Sequence, residues 1–166
     1  MRIQDLLYPD CIIDNLEAES KEDALRQMAQ KLYEGAYVHE SFVRAILDRE
    51  KHYPSGLPME THKIAIPHTD AIHVKRPTLL FARLNNAVEF SVMGDPDQII
   101  SVRLIFMFAL RDEKEIGPLL GSLITIYQDP KLLDSLLKAE NRSVIYKILS
   151  RAMGRNTTDF QRAKPK

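Results

Sequence analysis

His62-Lys63-Ile64-Ala65-Ile66-Pro67-His68-Thr69-Asp70 is the stretch from which the fold is read. Its apolar run, Ile64-Ala65-Ile66, stops at a proline, and a histidine follows. β-Branched residues ahead of a Pro predict a short buried strand that ends at a turn. Pro67 fixes its own φ and biases Ile66 toward extended backbone. His68 is therefore expected to be held stiffly where a strand reaches the surface, which suits an imidazole that presents one ring nitrogen to an incoming reactant. If the strand is extended, residues 62, 64, 66 and 68 share a face.

Working outward, the run Ile99 to Leu110 is nearly all apolar, as expected of a strand covered on both faces. It is too short to span a bilayer, which takes about 20 residues. Thr78 to Leu84 and Ala87 to Val92 read as two further strands, and Gly94-Asp95-Pro96-Asp97 as a turn. Cys11-Ile12-Ile13 is a candidate first strand, while residues 71–76 are ambiguous. Ser20 precedes a helical stripe of Ala24, Leu25, Met28 and Leu32 that stops at Gly35. A second helix is predicted from His39 to Glu50, with Phe42, Val43, Ile46 and Leu47 inward. The prolines and glycine of Tyr53-Pro54-Ser55-Gly56-Leu57-Pro58 mark a loop. From Glu113 the pattern is helical, with Pro118 expected in the first turn. Asp129-Pro130 starts another helix, and Ser143 to Met153 is the last, with Gly154 as its stop. Helices before and after a block of strands indicate an α/β or α+β domain with helices on the faces of a sheet.

The 166 residues suit one domain with a full core. A formal net charge of zero gives no global field that favours nucleic acid, a membrane surface or an acidic substrate. Cys11 is the one cysteine, so no internal disulfide forms, and a reduced, cytoplasmic setting is the simplest reading. Met1 to Asp10 lacks the basic and apolar regions of a signal peptide. Residues 151–166 carry Arg151, Arg155, Arg162, Lys164 and Lys166 against Asp159 alone. This basic tail is expected to be flexible, and no nucleic-acid role is assigned to it.

Of five histidines, His62, His68 and His73 crowd into twelve positions; His39 and His52 are read as making local hydrogen bonds. The cluster allows two chemistries. As metal ligands, the three lack the i, i+4 spacing of helical zinc sites, and no cysteine pair lies nearby. As a nucleophile, a neutral imidazole with an ordinary pKa near 6.5 attacks a phosphoryl group to give a phosphohistidine. Backbone N–H groups at the end of a strand and a second histidine, His62, would serve the phosphoryl oxygens.

Ile64-Ala65-Ile66-Pro67-His68 resembles the active-site motif of enzyme IIA components of the sugar phosphotransferase system, in the fructose–mannitol superfamily. Arg49-Glu50, the Pro54-Ser55-Gly56-Leu57 loop, His62 and Ala71-Ile72-His73 look like its galactitol-type branch. The resemblance covers residues 5–150. It implies the mannitol/fructose-type enzyme IIA fold, an α/β domain with a mixed β-sheet flanked by helices. It implies that His68 is the phosphorylated residue, through Nε2. The donor would be the phosphorylated histidine phosphocarrier protein and the acceptor a cysteine of the cognate enzyme IIB. A membrane-embedded enzyme IIC would be reached only through that IIB. Arg49 matches a family arginine near the active site and is expected to neutralise phosphoryl charge, and no cofactor or metal is implied.

This sequence departs from mannitol-type members, which have a glutamate at the place of His62. They also have a second active-site histidine where Lys114-Glu115-Ile116 stands here. A carboxylate at Glu115 would repel a phosphoryl dianion at close range. Either Glu115 points away, or His62 takes over the second-histidine role from a different element; the second is preferred, and galactitol-type members also lack the later histidine. The leading reading is a phosphoryl carrier for uptake of galactitol or a related polyol or sugar. The alternative is a regulatory domain of the same fold whose phosphorylation controls another protein. The absence of an attached helix-turn-helix or transporter segment is read as a stand-alone protein. A metal-dependent hydrolase using His62, His68 and His73 is a third reading.

Overall fold

The computed structural model describes residues 3–162, with side chains described as far as Gly154. Five strands, β1 (Leu7–Leu16), β2 (Gly56–Pro58), β3 (Lys63–Ala65), β4 (Thr78–Val92) and β5 (Asp95–Ala109), form one mixed sheet. Among the described residues five α-helices accompany them: α1 (Lys21–Glu34), α2 (Ser41–His52), α3 (Glu113–Tyr127), α4 (Pro130–Lys138) and α5 (Arg142–Arg162). The long β4–β5 antiparallel hairpin is the backbone of the sheet. β1 lies parallel to β4 on its outer side, and β3 lies parallel to β5. β2 runs antiparallel to β3 and returns to β4 through Gly56 and Val92, so β4, β5, β3 and β2 close a ring.

That closure explains one difference from the sequence reading. Thr78 to Leu84 and Ala87 to Val92 are not two strands but one, β4, whose register with β5 slips between Arg83 and Val88. An irregularity of this kind bends and twists a strand, and the bend carries Val92 to Gly56. The predicted turn is shorter as well. It falls at Met93-Gly94, with Gly94 at φ 78°, and β5 already begins at Asp95. The predicted loop contains β2, because Gly56-Leu57-Pro58 finds backbone partners on both sides that no local pattern reveals.

Side chains alternate across the sheet, and both faces are covered. Ile105, Met107 and Ala109 of β5 face Leu25, Met28 and Leu32 of α1 and Phe42 and Ile46 of α2. Leu104, Phe106 and Phe108 face Leu119 and Leu123 of α3, Leu133 and Leu136 of α4, and Ile145 and Leu149 of α5. Each fully buried Leu, Ile or Phe contributes about 1.5–3 kcal/mol of hydrophobic stabilisation before chain entropy is charged against it. α1 starts where expected, with Ser20 Oγ accepting from the Asp23 N–H at 3.1 Å, and stops at Gly35. Asp129 caps α4 in the same way, accepting from the Leu132 N–H.

Two helix boundaries need correction. Pro118 lies in the second turn of α3, because Asp112 caps that helix and Glu113 opens it. There Pro118 removes the helical hydrogen bond to the Lys114 carbonyl. Gly154 does not stop α5, which runs on to Arg162. A Cβ at Gly154 would stand 3.2 Å from Gln4 Oε1, so this glycine serves close packing against the N-terminal segment. The start of the basic tail is therefore helical backbone; side chains from Arg155 on and residues 163–166 lie outside the described residues.

Candidate active site

His68 lies just beyond β3, on backbone that stays extended through Pro67. The parallel register pairs Ile64 with Leu104 and Ala65 with Ile105, and resumes without a slip at His68 and Phe108. The Phe108 N–H donates to the Pro67 carbonyl at 3.0 Å. On the other side, the Ile66 N–H donates to the Ser55 carbonyl at 3.0 Å. Both neighbours of the turn are thus pinned, and the half-buried His68 ring emerges from a rigid strand end.

The ring itself is oriented. Its Nδ1 is 3.1 Å from the Ile66 carbonyl oxygen. A carbonyl only accepts, so Nδ1 carries the proton and Nε2 keeps its lone pair. Burial pushes the His68 pKa below its ordinary 6.5. The bond to Ile66 opposes that shift, the Arg49 guanidinium adds to it, and the Asp70 carboxylate works against it. The balance favours a neutral imidazole with Nε2 free, the form that acts as a nucleophile.

Arg49 comes from the last turn of α2. Its Nη1 is 3.6 Å from Asp70 Oδ1, and its guanidinium lies 5.1 Å from the centre of the Tyr53 ring. Asp70 is 63% exposed in its side chain, so the pair is a weak, solvent-screened one. An arginine held that loosely is free to turn toward a second anion. The sequence pointed to Arg49 but not to Asp70 as its counter-ion. The proline turn after Ile66 was the signal that could have brought Asp70 and α2 together.

His62, expected as the phosphoryl stabiliser, is engaged with a different element. It stands at the other end of β3, and its Nε2 is 2.8 Å from Asp134 Oδ1 of α4. The alternation expected for 62, 64, 66 and 68 does hold at Ile64 and Ile66, which both enter the core under α3–α5. Distance is what separates the histidines: five residues of extended chain from Lys63 to His68 span about 16 Å. His73 is likewise engaged elsewhere, with Nδ1 2.8 Å from Ser41 Oγ at the start of α2. Among the described residues no group of three or more His, Cys, Asp or Glu side chains is placed to hold a metal ion. Glu115 lies half-buried in the first turn of α3, which opens five residues past Phe108.

Comparison with known proteins follows the same line. The family model described as phosphoenolpyruvate-dependent sugar phosphotransferase system, EIIA 2, matches residues 5–152. The chain belongs to this EIIA family. The galactitol-specific EIIA component of the phosphotransferase system of Escherichia coli K12 is 28% identical over 117 residues, 70% of this chain and 77% of that protein. A nitrogen regulatory protein of Bradyrhizobium diazoefficiens is 28% identical over 152 residues, 90% of this chain and 95% of that one. In a solved complex of mannitol enzyme IIA with phosphorylated enzyme IIB from Escherichia coli, the likeness has a TM-score of 0.73 at 26% identity. It covers 87% of this chain and 97% of that one. The expected mannitol-type α/β fold is therefore found, and the chain is an EIIA-type phosphoryl carrier. Among the described residues no helix of this EIIA chain is long and apolar enough to cross a membrane.

Proposed function

We propose that His68 is the phosphoryl-carrying residue and that Arg49 neutralises the charge it acquires. The observation that carries this reading is the His68 Nδ1–H bond to the Ile66 carbonyl, which leaves Nε2 as the free lone pair on a ring kept neutral by burial. In the first transfer, Nε2 attacks the phosphorus of the phosphohistidine on the histidine phosphocarrier protein. A new N–P bond forms, and the donor's N–P bond breaks with its electron pair returning to the donor imidazole. In the second transfer, a cysteine thiolate of the cognate enzyme IIB attacks the same phosphorus, and the electron pair of the N–P bond returns to His68. Positioning and charge neutralisation are the main demands of such a step. Arg49 meets the second by exchanging Asp70 for the phosphoryl oxygens.

The setting is cytoplasmic, and the output is uptake of galactitol or a related polyol or sugar, with a membrane-embedded enzyme IIC reached only through IIB. The similarity to the galactitol-specific component supports this choice. The similarity to the nitrogen regulatory protein, which extends over more of the chain, supports the second reading, a phosphorylation-dependent regulator.

The test is incubation with phosphoenolpyruvate, enzyme I and the phosphocarrier, followed by peptide mass spectrometry of acid-labile phosphate and addition of the candidate IIB. One phosphoryl group on His68 that moves to a IIB cysteine is expected. His68→Ala is expected to stay folded and accept none. Phosphate on a His68→Ala protein would overturn the assignment. Phosphate on His68 that no IIB removes would favour the regulator.

A further inference from the structure

Glu50 is the buried carboxylate that the phosphoryl-transfer reading leaves without a task. It follows Arg49 in the last turn of α2, and only 5% of the residue is exposed. Burial pushes its pKa above the ordinary value, and Ser55 draws it back. Such a placement is costly, since a buried carboxyl gives up water and α2 turns its negative end toward it. Its hydrogen bonding shows what the placement achieves.

Glu50 Oε1 accepts from the Ser55 N–H at 3.0 Å. The Ser55 carbonyl accepts from the Ile66 N–H at 3.0 Å. The Ile66 carbonyl accepts from His68 Nδ1 at 3.1 Å. Three successive bonds thus run from the Glu50 carboxyl to the ring of the nucleophile, through two residues that are themselves buried. Ser55 belongs to a segment with two prolines nearby and little regular structure to hold it: Tyr53 and Pro54 precede it, and β2 begins only at Gly56. The Ser55 N–H has Glu50 as its anchor.

We infer that Glu50 is a positioning residue for phosphoryl transfer: it fixes Ser55, hence the Ile66 carbonyl, hence the tautomer and orientation of His68. This rests on His68 being the phosphoryl carrier, but it is read out on the unphosphorylated protein. An imidazole whose Nδ1 loses its acceptor is free to place its proton on Nε2, which removes the attacking lone pair. A shift of roughly 1 Å in the reacting atom costs about a hundredfold in rate.

The experiment compares the full-length protein with Glu50→Ala and Glu50→Gln. Ring 15N chemical shifts of His68 report the tautomer, and single-turnover transfer from the phosphorylated phosphocarrier reports the chemistry. Wild type is expected to show Nδ1–H with Nε2 unprotonated. Glu50→Ala is expected to show a mixture of tautomers and a transfer rate at saturating donor lower by about tenfold to a hundredfold. Its half-saturating donor concentration should stay within about twofold. Glu50→Gln keeps an oxygen acceptor for the Ser55 N–H, and its new NH2 can turn to the Ser55 hydroxyl, which is buried without a partner among the described residues. It is expected to restore the tautomer and most of the rate.

A folded Glu50→Ala protein with wild-type tautomer and rate overturns the inference. So does wild-type His68 found with its proton on Nε2, a result that stands even if Glu50→Ala does not fold. A Glu50→Gln protein that is folded but as slow as Glu50→Ala overturns it too. If the tautomer responds as expected while wild-type His68 takes up no phosphate, the carrier reading fails and the transfer role of Glu50 fails with it, while its control of the His68 tautomer stands.

Discussion

Replacing Gly56 by alanine tests whether ring closure by β2 supports the site. A Cβ at Gly56 would stand 2.6 Å from the Ser91 carbonyl oxygen, 3.1 Å from Ile100 Cδ1 and 3.3 Å from the Ser91 carbonyl carbon. The nearest of these is backbone, about 0.8 Å inside ordinary contact, so the strand itself must move. Overpacking of this kind costs about 1–3 kcal/mol. For a domain of this size each kcal/mol lowers Tm by about 2–4 °C, so a central value near 2 kcal/mol predicts a fall of about 6 °C. The displaced strand also carries the Met93 N–H bond to the Gly56 carbonyl and adjoins Ser55, which holds Ile66. Transfer to His68 is therefore expected to slow along with the loss of stability. Gly121→Ala is the control, because a Cβ there meets nothing within 4 Å and the residue lies in α3. There the same substitution removes only helix-opposing backbone freedom and should stabilise by about 0.5–1 kcal/mol. Differential scanning calorimetry at fixed pH measures both. A Gly56→Ala protein that melts at or above the wild-type temperature would refute the close-packing argument.

Arg49→Gln removes a charge that opposes protonation of His68, and Asp70→Asn removes one that favours it. An NMR titration of His68 should therefore move to higher pH in the first variant and to lower pH in the second; shifts of the same sign would contradict the geometry. The His68 contribution to stability should fall as pH drops below about 6.5, the ordinary imidazole value, because the unfolded chain then binds a proton that folded His68 resists, while Glu50, with its pKa raised by burial, works in the opposite sense. His68→Gln should lose less Tm than wild type between pH 7.5 and 5.5, and an equal loss would assign the acid sensitivity elsewhere. His62→Asn should leave phosphoryl transfer within about twofold while lowering stability by about 1 kcal/mol or less through its bond to Asp134. A transfer rate tenfold lower with unchanged Tm would restore His62 to the chemistry.

The stiff strand end at His68 and the helices flanking the sheet were legible in the sequence, because each is written in local order. Ile64-Ala65-Ile66-Pro67 dictates an extended run and its end, and the 3.6-residue stripes of α1 and α2 dictate which face is buried. Ser20, Gly35 and Asp129 marked helix ends through their own side chains or lack of one. Gly154 misled because a glycine demanded by close approach to Gln4 looks, in sequence, like one that ends a helix. His62 shows a related limit: period-2 alternation gives the face of a residue but not which partner, here Asp134, its ring meets.

The remaining decisions were made by pairing between distant segments. β2 exists because Ala65 and Val92 offer it backbone partners, and β4 is one strand because β5 runs beside it through the slip at Arg83–Val88. Only the tertiary structure brings Arg49 to Asp70, sends His62 to Asp134, and runs Glu50 through Ser55 and Ile66 to His68. Local sequence sets backbone preference and burial; which donor meets which acceptor across tens of residues depends on packing, and packing is a property of the whole chain.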